Sequence, residues 1–206
     1  MALKEKIIEV SLQQFLAHGI RKMTVLKLAE PLNLSTKTVY KYFRDKEDLL
    51  KHCLLVHYSE LSAKFRVFEA ESSNPVTGIY KIWHEAIKLD FGVSQTFYYD
   101  LNYYYPELQD SVMQEVFRSI PKDLTKLIEK GIRESYFIDG IEPAIVIKVM
   151  ELLYTGITRT DRFKGSRMAP VVILHNTIDL YLRGLCTEKG LKELNHSYSN
   201  IIKNAP

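Results

Sequence analysis

Apolar side chains recur along this chain mainly at helical spacing. Five of them share one face of the first segment: Ile7, Ile8, Leu12, Phe15 and Leu16. Apolar and polar residues do not alternate over any stretch long enough to predict a strand. The pattern therefore predicts an all-α protein.

Capping and turn residues place the helix ends. Gly19 follows the first segment and can end it, since glycine adopts a left-handed C-cap without steric cost. Thr24, Ser35 and Asp45 are N-cap residue types at the starts of the next segments, and Asn33 suits a tight turn. Prolines lie near the starts of five later segments, where a missing N–H needs no partner. The predicted helices cover 4–18, 25–32, 36–43, 46 to beyond 65, 76–92, 95–105, 106–118, 121–135, 142–159 and 169–185.

Composition narrows the class of protein. The 206 residues are 46% hydrophobic and 26% charged, which excludes wholesale disorder. The two cysteines lie far apart, which excludes a disulfide scaffold and a cysteine-rich zinc module. No apolar run approaches the roughly 18 residues that span a bilayer, and the N-terminus is charged where a signal peptide is apolar. We expect a soluble, cytoplasmic protein with no membrane partner.

Positive charge is concentrated in the first quarter of the chain. Residues 1–50 carry nine Lys and Arg against six Asp and Glu, whereas residues 51–206 carry 19 of each. Between Arg21 and Lys46 the imbalance is seven basic residues to two acidic ones. Such an excess is typical of a surface that binds a polyanion, but a solvated helical face gives the same count, and charge alone leaves both open.

Residues 25–43, VLKLAEPLNLSTKTVYKYF, have the pattern of a helix-turn-helix. Ala29 is small enough for two steeply crossing helices, Asn33 occupies the turn, and Val39 is the apolar residue that packs the second helix. The polar side chains of that helix can then meet bases and phosphates. An ordinary helical hairpin with a polar face is the alternative, and the local positive charge favours DNA binding over it.

This region resembles the N-terminal domain of TetR/AcrR transcriptional regulators over residues 7–50. The resemblance implies a three-helix DNA-binding domain with a helix-turn-helix over residues 1–48. It further implies a larger helical bundle over residues 49–206 for ligand binding and dimerisation, with double-stranded DNA carrying a palindromic operator as the partner. The pieces that carry it keep the family's spacing without a gap: Phe15, His18-Gly19, Thr24, Leu28-Ala29, Leu34-Ser35, Thr38-Val39-Tyr40, Tyr42-Phe43 and Lys46-Glu47-Asp48-Leu49-Leu50.

The resemblance assigns DNA contacts to individual residues. Those that match phosphate-binding positions are Thr24, Tyr40, Tyr42 and Lys46. Those that match the base-facing side of the recognition helix are Thr36, Lys37, Thr38 and Lys41. Two positions depart from the family's pattern, since Asn33 replaces the usual turn glycine and Pro31 lies near the end of the second helix. Proline removes a backbone hydrogen bond, so we expect Pro31 to be tolerated if the helix is already ending there.

Aromatic residues are concentrated at 97–105, FYYDLNYYY, which holds six aromatic rings in nine residues. One helix cannot bury all of them on a single face, so we expect some to line a cavity or an interface; ordinary core packing is the alternative. In the family, this middle region binds the effector. Tyrosine faces and hydroxyls favour a small, partly aromatic or amphipathic compound, and cation–π contacts allow a quaternary ammonium group. The predicted ligand-binding residues are Trp83, His84, Tyr98, Tyr99, Tyr103 and Tyr136.

The helices predicted at 142–159 and 169–185 are apolar nearly all round. A helix that is apolar on two faces buries both, and here one face suits its own domain and the other a second copy of the chain. In the TetR/AcrR family these two helices form a four-helix dimer interface. The resemblance thus implies a two-fold homodimer on a palindromic site.

No sequence pattern indicates catalysis. GxSxG, HExxH, GxGxxG and Walker motifs are missing, and Cys53 and His57 are too few ligands for a metal. We predict no catalytic residue, no metal site and no cofactor. The resemblance implies instead a ligand-responsive DNA-binding regulator, and specifically a repressor that an effector releases from its operator. Two other functions stay open: a helical-bundle carrier or enzyme with a vestigial DNA-binding hairpin, and a protein-interaction adaptor.

Overall fold

The computed structural model describes residues 2–158 and 168–203, which form helices joined by short turns. The only extended pairing among these residues is an isolated antiparallel bridge between Phe137 and Cys186. The predicted all-α class is confirmed. The helices are α1 (Leu3–His18), α2 (Val25–Ala29), α3 (Thr36–Tyr40), α4 (Lys46–Glu71), α5 (Pro75–Phe91), α6 (Gln95–Tyr104), α7 (Pro106–Val116), α8 (Ile120–Arg133), α9 (Pro143–Thr158), α10 (Pro170–Leu185) and α11 (Glu188–Lys203), with a 3₁₀ helix, Glu30–Leu32, after α2.

Local signals place most of the helix boundaries. Gly19 ends α1 with a φ of 85°, and its N–H donates to the Phe15 carbonyl at 2.9 Å. The five prolines near predicted helix starts occupy the first or second positions of α5, α7, α8, α9 and α10. A residue at these positions has no intrahelical partner for its N–H, so proline costs nothing there.

Most boundaries shift by one or two residues, and three elements differ more. The second helix, predicted to residue 32, ends at Ala29 and is followed by the 3₁₀ helix Glu30–Leu32. The third helix ends at Tyr40 instead of continuing through residue 43, because the Lys41 and Tyr42 N–H groups donate to carbonyls only three residues back, at 3.3 and 3.0 Å. The last helix, α11, was not predicted; Thr187 precedes it, and its hydroxyl accepts from the Gly190 N–H at 3.2 Å. Residue 159 of the helix predicted at 142–159 lies outside the described residues.

The chain divides into two compact units. Unit 1 comprises Met1–Ser62 and Leu89–Arg118, and unit 2 comprises Ala63–Lys88 and Ser119–Pro206. Unit 1 therefore contains α6 and α7 in addition to the three N-terminal helices and the first part of α4. A division of function near residue 48 stays a prediction.

Unit 1 is organised around large side chains from α1, α4, α6 and the segment after α3. Phe15, Phe43 and Phe97 are each at most 2% exposed. Full burial of such a side chain stabilises a fold by about 1.5–3 kcal/mol. The two five-residue helices α2 and α3 are therefore held mainly by the core beneath them. The fully buried residues that α4 contributes to this core are Leu49, Leu50, Cys53 and Leu54.

Unit 2 is a helical bundle in which α9 packs against both α8 and α10. The C-terminal helix α11 is fastened by polar contacts: the Asn74 amide donates to Glu193 Oε2 at 2.9 Å, and the hydroxyls of Thr77 and Ser197 lie 2.9 Å apart. Hydrogen bonds made by buried or half-buried groups hold an element in one register. The bundle interior includes Leu127, Ile128, Val146, Met150, Leu174, Ile178, Leu182 and Leu194.

Large apolar side chains also lie on the outer faces of α9 and α10. Ile145 and Leu152 of α9 are 63% and 58% exposed, and Val172 and Leu180 of α10 are 45% and 69% exposed. A β-carbon at Gly184 would have nothing within 4 Å. The two adjacent helices thus present apolar surface away from the bundle interior.

The buried imidazole of His57 makes the stability of unit 1 depend on pH. Its ring packs against Tyr58 and Phe97, at centroid distances of 5.5 and 6.4 Å, and burial lowers its pKa from 6.5 to about 4. The unfolded chain therefore binds a proton more readily than the folded chain below pH 6.5. The stability due to neutral His57 is complete at neutral pH and is lost as the pH falls towards 4, by up to about 3 kcal/mol.

Replacing this histidine tests the assignment. His57→Phe keeps an aromatic ring but cannot be protonated, so we expect the free energy of unfolding to fall less between pH 6.5 and pH 4 than in the wild type. Urea unfolding at a series of pH values measures this. The control is His196→Gln at an exposed site, which should retain the wild-type slope. Equal slopes for all three proteins would contradict the account.

Candidate DNA-binding surface

The starts of α2 and α3 are fixed by side-chain caps. Thr24 Oγ1 accepts a hydrogen bond from the Lys27 N–H at 3.3 Å, and Ser35 Oγ accepts from the Thr38 N–H at 3.1 Å. The hydroxyls of Ser35 and Thr38 also lie 2.9 Å apart. These caps satisfy N–H groups that have no partner within such short helices.

The turn between the two helices accommodates both departures from the family's pattern. α2 ends at Ala29, and Pro31 lies at the start of the 3₁₀ helix, so it interrupts no α-helical hydrogen bond. Asn33 is left-handed, with φ 53° and ψ 38°, as expected of the residue that replaces a turn glycine. The chain then turns back, and the Leu34 N–H donates to the Ala29 carbonyl at 3.1 Å.

The third helix separates an apolar side from a polar one. Val39 and the following Phe43 are each 1% exposed and pack into unit 1. Tyr40 and Tyr42 are 51% and 40% exposed. Lys37 and Lys41 are exposed, whereas Thr36 and Thr38 are half-buried.

The start of α4 borders this surface. Asp45 caps the helix, its Oδ1 accepting from the Asp48 N–H at 2.8 Å. Lys46 is the first residue of the helix and is half-buried. Burial lowers the pKa of its ammonium group; the negative charge of Asp100 opposes this shift, and the positive charge of Arg21 adds to it. A partly desolvated ammonium at a helix N-terminus, where the dipole is positive, is suited to an anionic partner.

All eight residues predicted to contact DNA lie in the one segment that runs from the cap of α2 to the start of α4. Each is exposed or half-buried. Their division into phosphate-binding and base-facing groups stays a prediction.

Other basic side chains lie around the helix-turn-helix. The residue-by-residue resemblance assigned no DNA contact to them. Lys22 and Lys27 line an open depression together with His18 at the end of α1, and Lys27 Nζ lies 3.4 Å from the Lys22 carbonyl oxygen. Lys4 Nζ lies 3.3 Å from His52 Nε2 and 5.6 Å from the centre of the Phe43 ring. In the sequence, only the excess of basic residues between Arg21 and Lys46 indicated that Lys22 and Lys27 belong to a positively charged surface.

Three of the six residues predicted to bind a ligand lie in unit 2. Trp83 packs against Tyr154 at a centroid distance of 5.7 Å, and its Nε1–H is buried with no hydrogen-bond partner among the described residues. The His84 ring lies 5.6 Å from that of His175, and burial lowers the pKa of both imidazoles. Tyr136 stacks beneath Lys189, whose Nζ lies 3.9 Å from the ring centre.

The other three lie on α6 in unit 1. Tyr98 packs against Phe91 at 5.8 Å. Tyr99 and Tyr103 stack at 5.4 Å and are 46% and 62% exposed, so their rings do not serve as core. Of the six residues, the structure places Trp83 and His84 side by side on one helix and does not assemble the full set within either unit.

Other kinds of site receive no support from the described ranges 2–158 and 168–203. No helix in them has the length and apolar character needed to cross a membrane. No three His, Cys, Asp or Glu side chains in them are grouped to hold a metal ion. Cys53 and Cys186 are both buried free thiols, and burial raises the pKa of each.

Residues 7–53 match the model of a family described as bacterial regulatory proteins, tetR family. The match spans the whole helix-turn-helix and confirms the resemblance that its residues predicted. No curated protein is significantly similar to the chain in sequence.

Solved structures share the fold at low sequence identity. A TetR/AcrR-family regulator from Thermobifida fusca matches with a TM-score of 0.69 and 19% identity, over 88% of this chain and 97% of that one. The E. coli NemR protein in its reduced form gives 0.65 and 18%, over 89% and 97%. The regulator FadR from Bacillus subtilis, in complex with stearoyl-CoA, gives 0.65 and 15%, over 88% and 98%. At these identities the likeness shows a common fold.

The cap of the third helix can be tested without DNA. Ser35→Ala removes the acceptor for the Thr38 N–H, and we expect the free energy of unfolding to fall by about 1 kcal/mol in urea titrations. Ser119 occupies the equivalent position before α8 but makes no capping hydrogen bond. Ser119→Ala should therefore leave stability nearly unchanged, and equal losses in the two variants would contradict the role of Ser35.

Proposed function

We propose that this TetR-family DNA-binding transcriptional regulator is a repressor that binds a palindromic operator as a homodimer and releases it when a small molecule binds in unit 2. The observation that carries the proposal is the outward face of α3 and of the two residues that follow it. Two large aromatic rings and two lysines remain exposed there, although Val39 on the opposite side is buried. Exposed rings and ammonium groups on one short segment are suited to a nucleic acid groove.

The DNA contacts divide by chemistry. Thr24, Tyr40, Tyr42 and Lys46 contact phosphates, which fixes the register of the protein on the duplex. Thr36, Lys37, Thr38 and Lys41 face the bases, where a lysine suits the acceptors of guanine. Most of the affinity comes from the phosphate contacts, so it falls steeply as salt concentration rises.

The homodimer is supported by the outer faces of α9 and α10. Burying large apolar side chains such as Ile145, Leu152 and Leu180 contributes about 25 cal/mol per Å² of area removed from water. The two neighbouring helices of one chain meet the same two of a second chain, as in a four-helix bundle. A two-fold pair of recognition helices then requires two half-sites related by the same symmetry.

The effector region is supported by the side chains around Trp83 in unit 2. A buried indole N–H without a partner is costly, and a ligand that carries a hydrogen-bond acceptor satisfies it. The neighbouring imidazoles of His84 and His175 are held neutral by burial, which favours a polar but uncharged group beside an aromatic or aliphatic body. The stearoyl-CoA bound to the Bacillus subtilis protein of the same fold is an amphipathic example. The half-buried Tyr98 and the exposed Tyr99 and Tyr103 of α6, with Tyr136 in unit 2, remain in the predicted ligand set.

Release of DNA follows from a difference in affinity between two conformers. A ligand that binds more tightly to a conformer whose recognition helices do not fit successive major grooves shifts the population towards it. That this regulation is repression relieved by the ligand is supported by the resemblance to the TetR/AcrR family.

The DNA-binding proposal is tested with a random pool of DNA duplexes. The full chain should enrich an inverted repeat, and fluorescence anisotropy should then show salt-sensitive binding that scrambled DNA does not reproduce. Lys41→Ala, directly after α3, should weaken binding to the enriched duplex at least about fivefold, since a good base contact is worth about 1–3 kcal/mol. Lys122→Ala removes the same charge from an exposed site on α8 and should change the affinity less than twofold.

Three results would contradict the proposal. One is binding without sequence preference, which favours a carrier or enzyme whose hairpin is vestigial. Another is an equal effect of the two lysine variants, which leaves the basic segment as a solvated surface. The third is a chain that binds neither DNA nor small molecules, which would fit an adaptor instead.

The dimer has its own test. The wild type should be a dimer at micromolar concentration in size-exclusion chromatography with light scattering, and Leu180→Glu should convert it to a folded monomer, because Leu180 is 69% exposed on the proposed interface. Ile138→Glu places the same charge at an apolar residue that is 40% exposed outside α9 and α10 and should remain dimeric. A monomeric wild type would overturn the proposed assembly.

A further inference from the structure

A buried carboxylate joins α6 to the turn between α1 and α2. Asp100 is 4% exposed, and its Oδ2 accepts hydrogen bonds from the Ile20 N–H at 2.9 Å and the Arg21 N–H at 2.8 Å. Hydrogen bonds to a charged acceptor are stronger than those between neutral groups. The backbone at Arg21 is therefore fixed by a residue nearly eighty positions later in the sequence.

The side chain of Arg21 is held by the same helix. Tyr104 follows Asp100 by one helical turn, and its hydroxyl accepts from Arg21 Nη1 at 2.7 Å. The guanidinium lies over the Tyr104 ring, 4.1 Å from its centre. Stacking on an aromatic face and a hydrogen bond at the ring edge together restrict the rotamers of a long side chain.

This support leaves the charge of Arg21 available. Within the described ranges, the guanidinium forms no ion pair with a carboxylate, and its Nε and Nη2 groups make no hydrogen bond. The residue is exposed to solvent. A guanidinium carries five N–H donors in a planar fork that matches a phosphate, so the unused donors can bind one.

Arg21 also lies beside the groups proposed to contact phosphates. It precedes Thr24, the cap of α2, by three residues. Lys46 at the start of α4 feels the charge of Arg21, and more strongly the opposite charge of the buried Asp100. Neither Arg21 nor Lys46 forms an ion pair with a carboxylate among the described residues, so both can meet a phosphate.

We propose that Arg21 binds a backbone phosphate of the operator and that Tyr104 of α6 positions its guanidinium for that contact. The proposal rests on the proposed DNA binding and extends the DNA surface beyond the helix-turn-helix. Holding the side chain in place before binding lowers the entropy lost when the complex forms. It also makes the phosphate contact depend on where α6 lies.

The test is the salt dependence of binding to the duplex enriched by the wild type. Arg21→Ala should raise Kd about tenfold and reduce the magnitude of the slope of log K against log salt by about 0.9 for each bound chain. Its preference among DNA sequences should not change, because a phosphate carries no base identity. Arg133→Ala, which removes an arginine from an exposed site at the end of α8, should leave both quantities at their wild-type values.

Two conservative variants separate the charge from its positioning. Arg21→Lys should keep the wild-type salt slope but weaken binding, because an ammonium provides the charge without the planar fork. Tyr104→Phe keeps the ring and removes the hydroxyl that accepts from Nη1. It should raise Kd about two- to fivefold with an unchanged salt slope and an unchanged melting temperature, as expected of a positioning residue.

The outcomes distinguish this inference from the proposed function. If the wild type enriches no sequence, the proposed function fails. If the wild type binds specifically but Arg21→Ala matches Arg133→Ala, the phosphate contact is wrong and the proposed function stands. Weaker binding by Arg21→Ala with an unchanged salt slope and a lowered melting temperature would show a purely structural role and would also overturn it.

Discussion

The helix-turn-helix of residues 25–43 is subject to one physical constraint: its two helices, α2 and α3, are too short to be stable in isolation. α2 and α3 have five residues each, whereas isolated helices shorter than about 12–15 residues are marginal in water. The buried side chains of Ala29 and Val39 anchor the two helices to the core. The hydroxyls of Thr24 and Ser35 cap their N-termini. Every polar side chain that α3 presents to solvent is oriented by that burial.

The same constraint explains why unit 1 extends beyond the helix-turn-helix. Phe97 and Leu101 of α6 belong to the core that supports the first four helices. Asp100 and Tyr104, on the same helix, reach the turn that leads into α2. A helix that supports both the core and the turn can change the proposed DNA surface when it moves, which gives the proposed effector a physical route to a change in affinity.

Signals within a few residues of one another were sufficient for much of the fold. Thr24 and Ser35 cap their helices, and Asn33 adopts the left-handed turn conformation, as their residue types predict. Pro31 is tolerated because α2 has already ended before it. The sequence pattern did not predict α11, because most of its residues are charged or polar and only a few apolar residues, such as Leu194, pack inward. The contact between Arg21 and Tyr104 joins residues 83 positions apart, and no local pattern indicates which distant ring a given arginine will meet.

If the exposed face of α3 contacts base pairs as proposed, single residues on it set the preference for single base pairs. This is tested by measuring the affinity of the wild type, Lys37→Gln and Tyr42→Ala for every single-base-pair variant of the duplex that the wild type selects. Lys37→Gln should change the preferred base pair at one symmetric pair of positions, whereas Tyr42→Ala should weaken binding to all variants alike. An unchanged base preference in Lys37→Gln, with binding weakened evenly across the variants, would contradict the proposed base contacts.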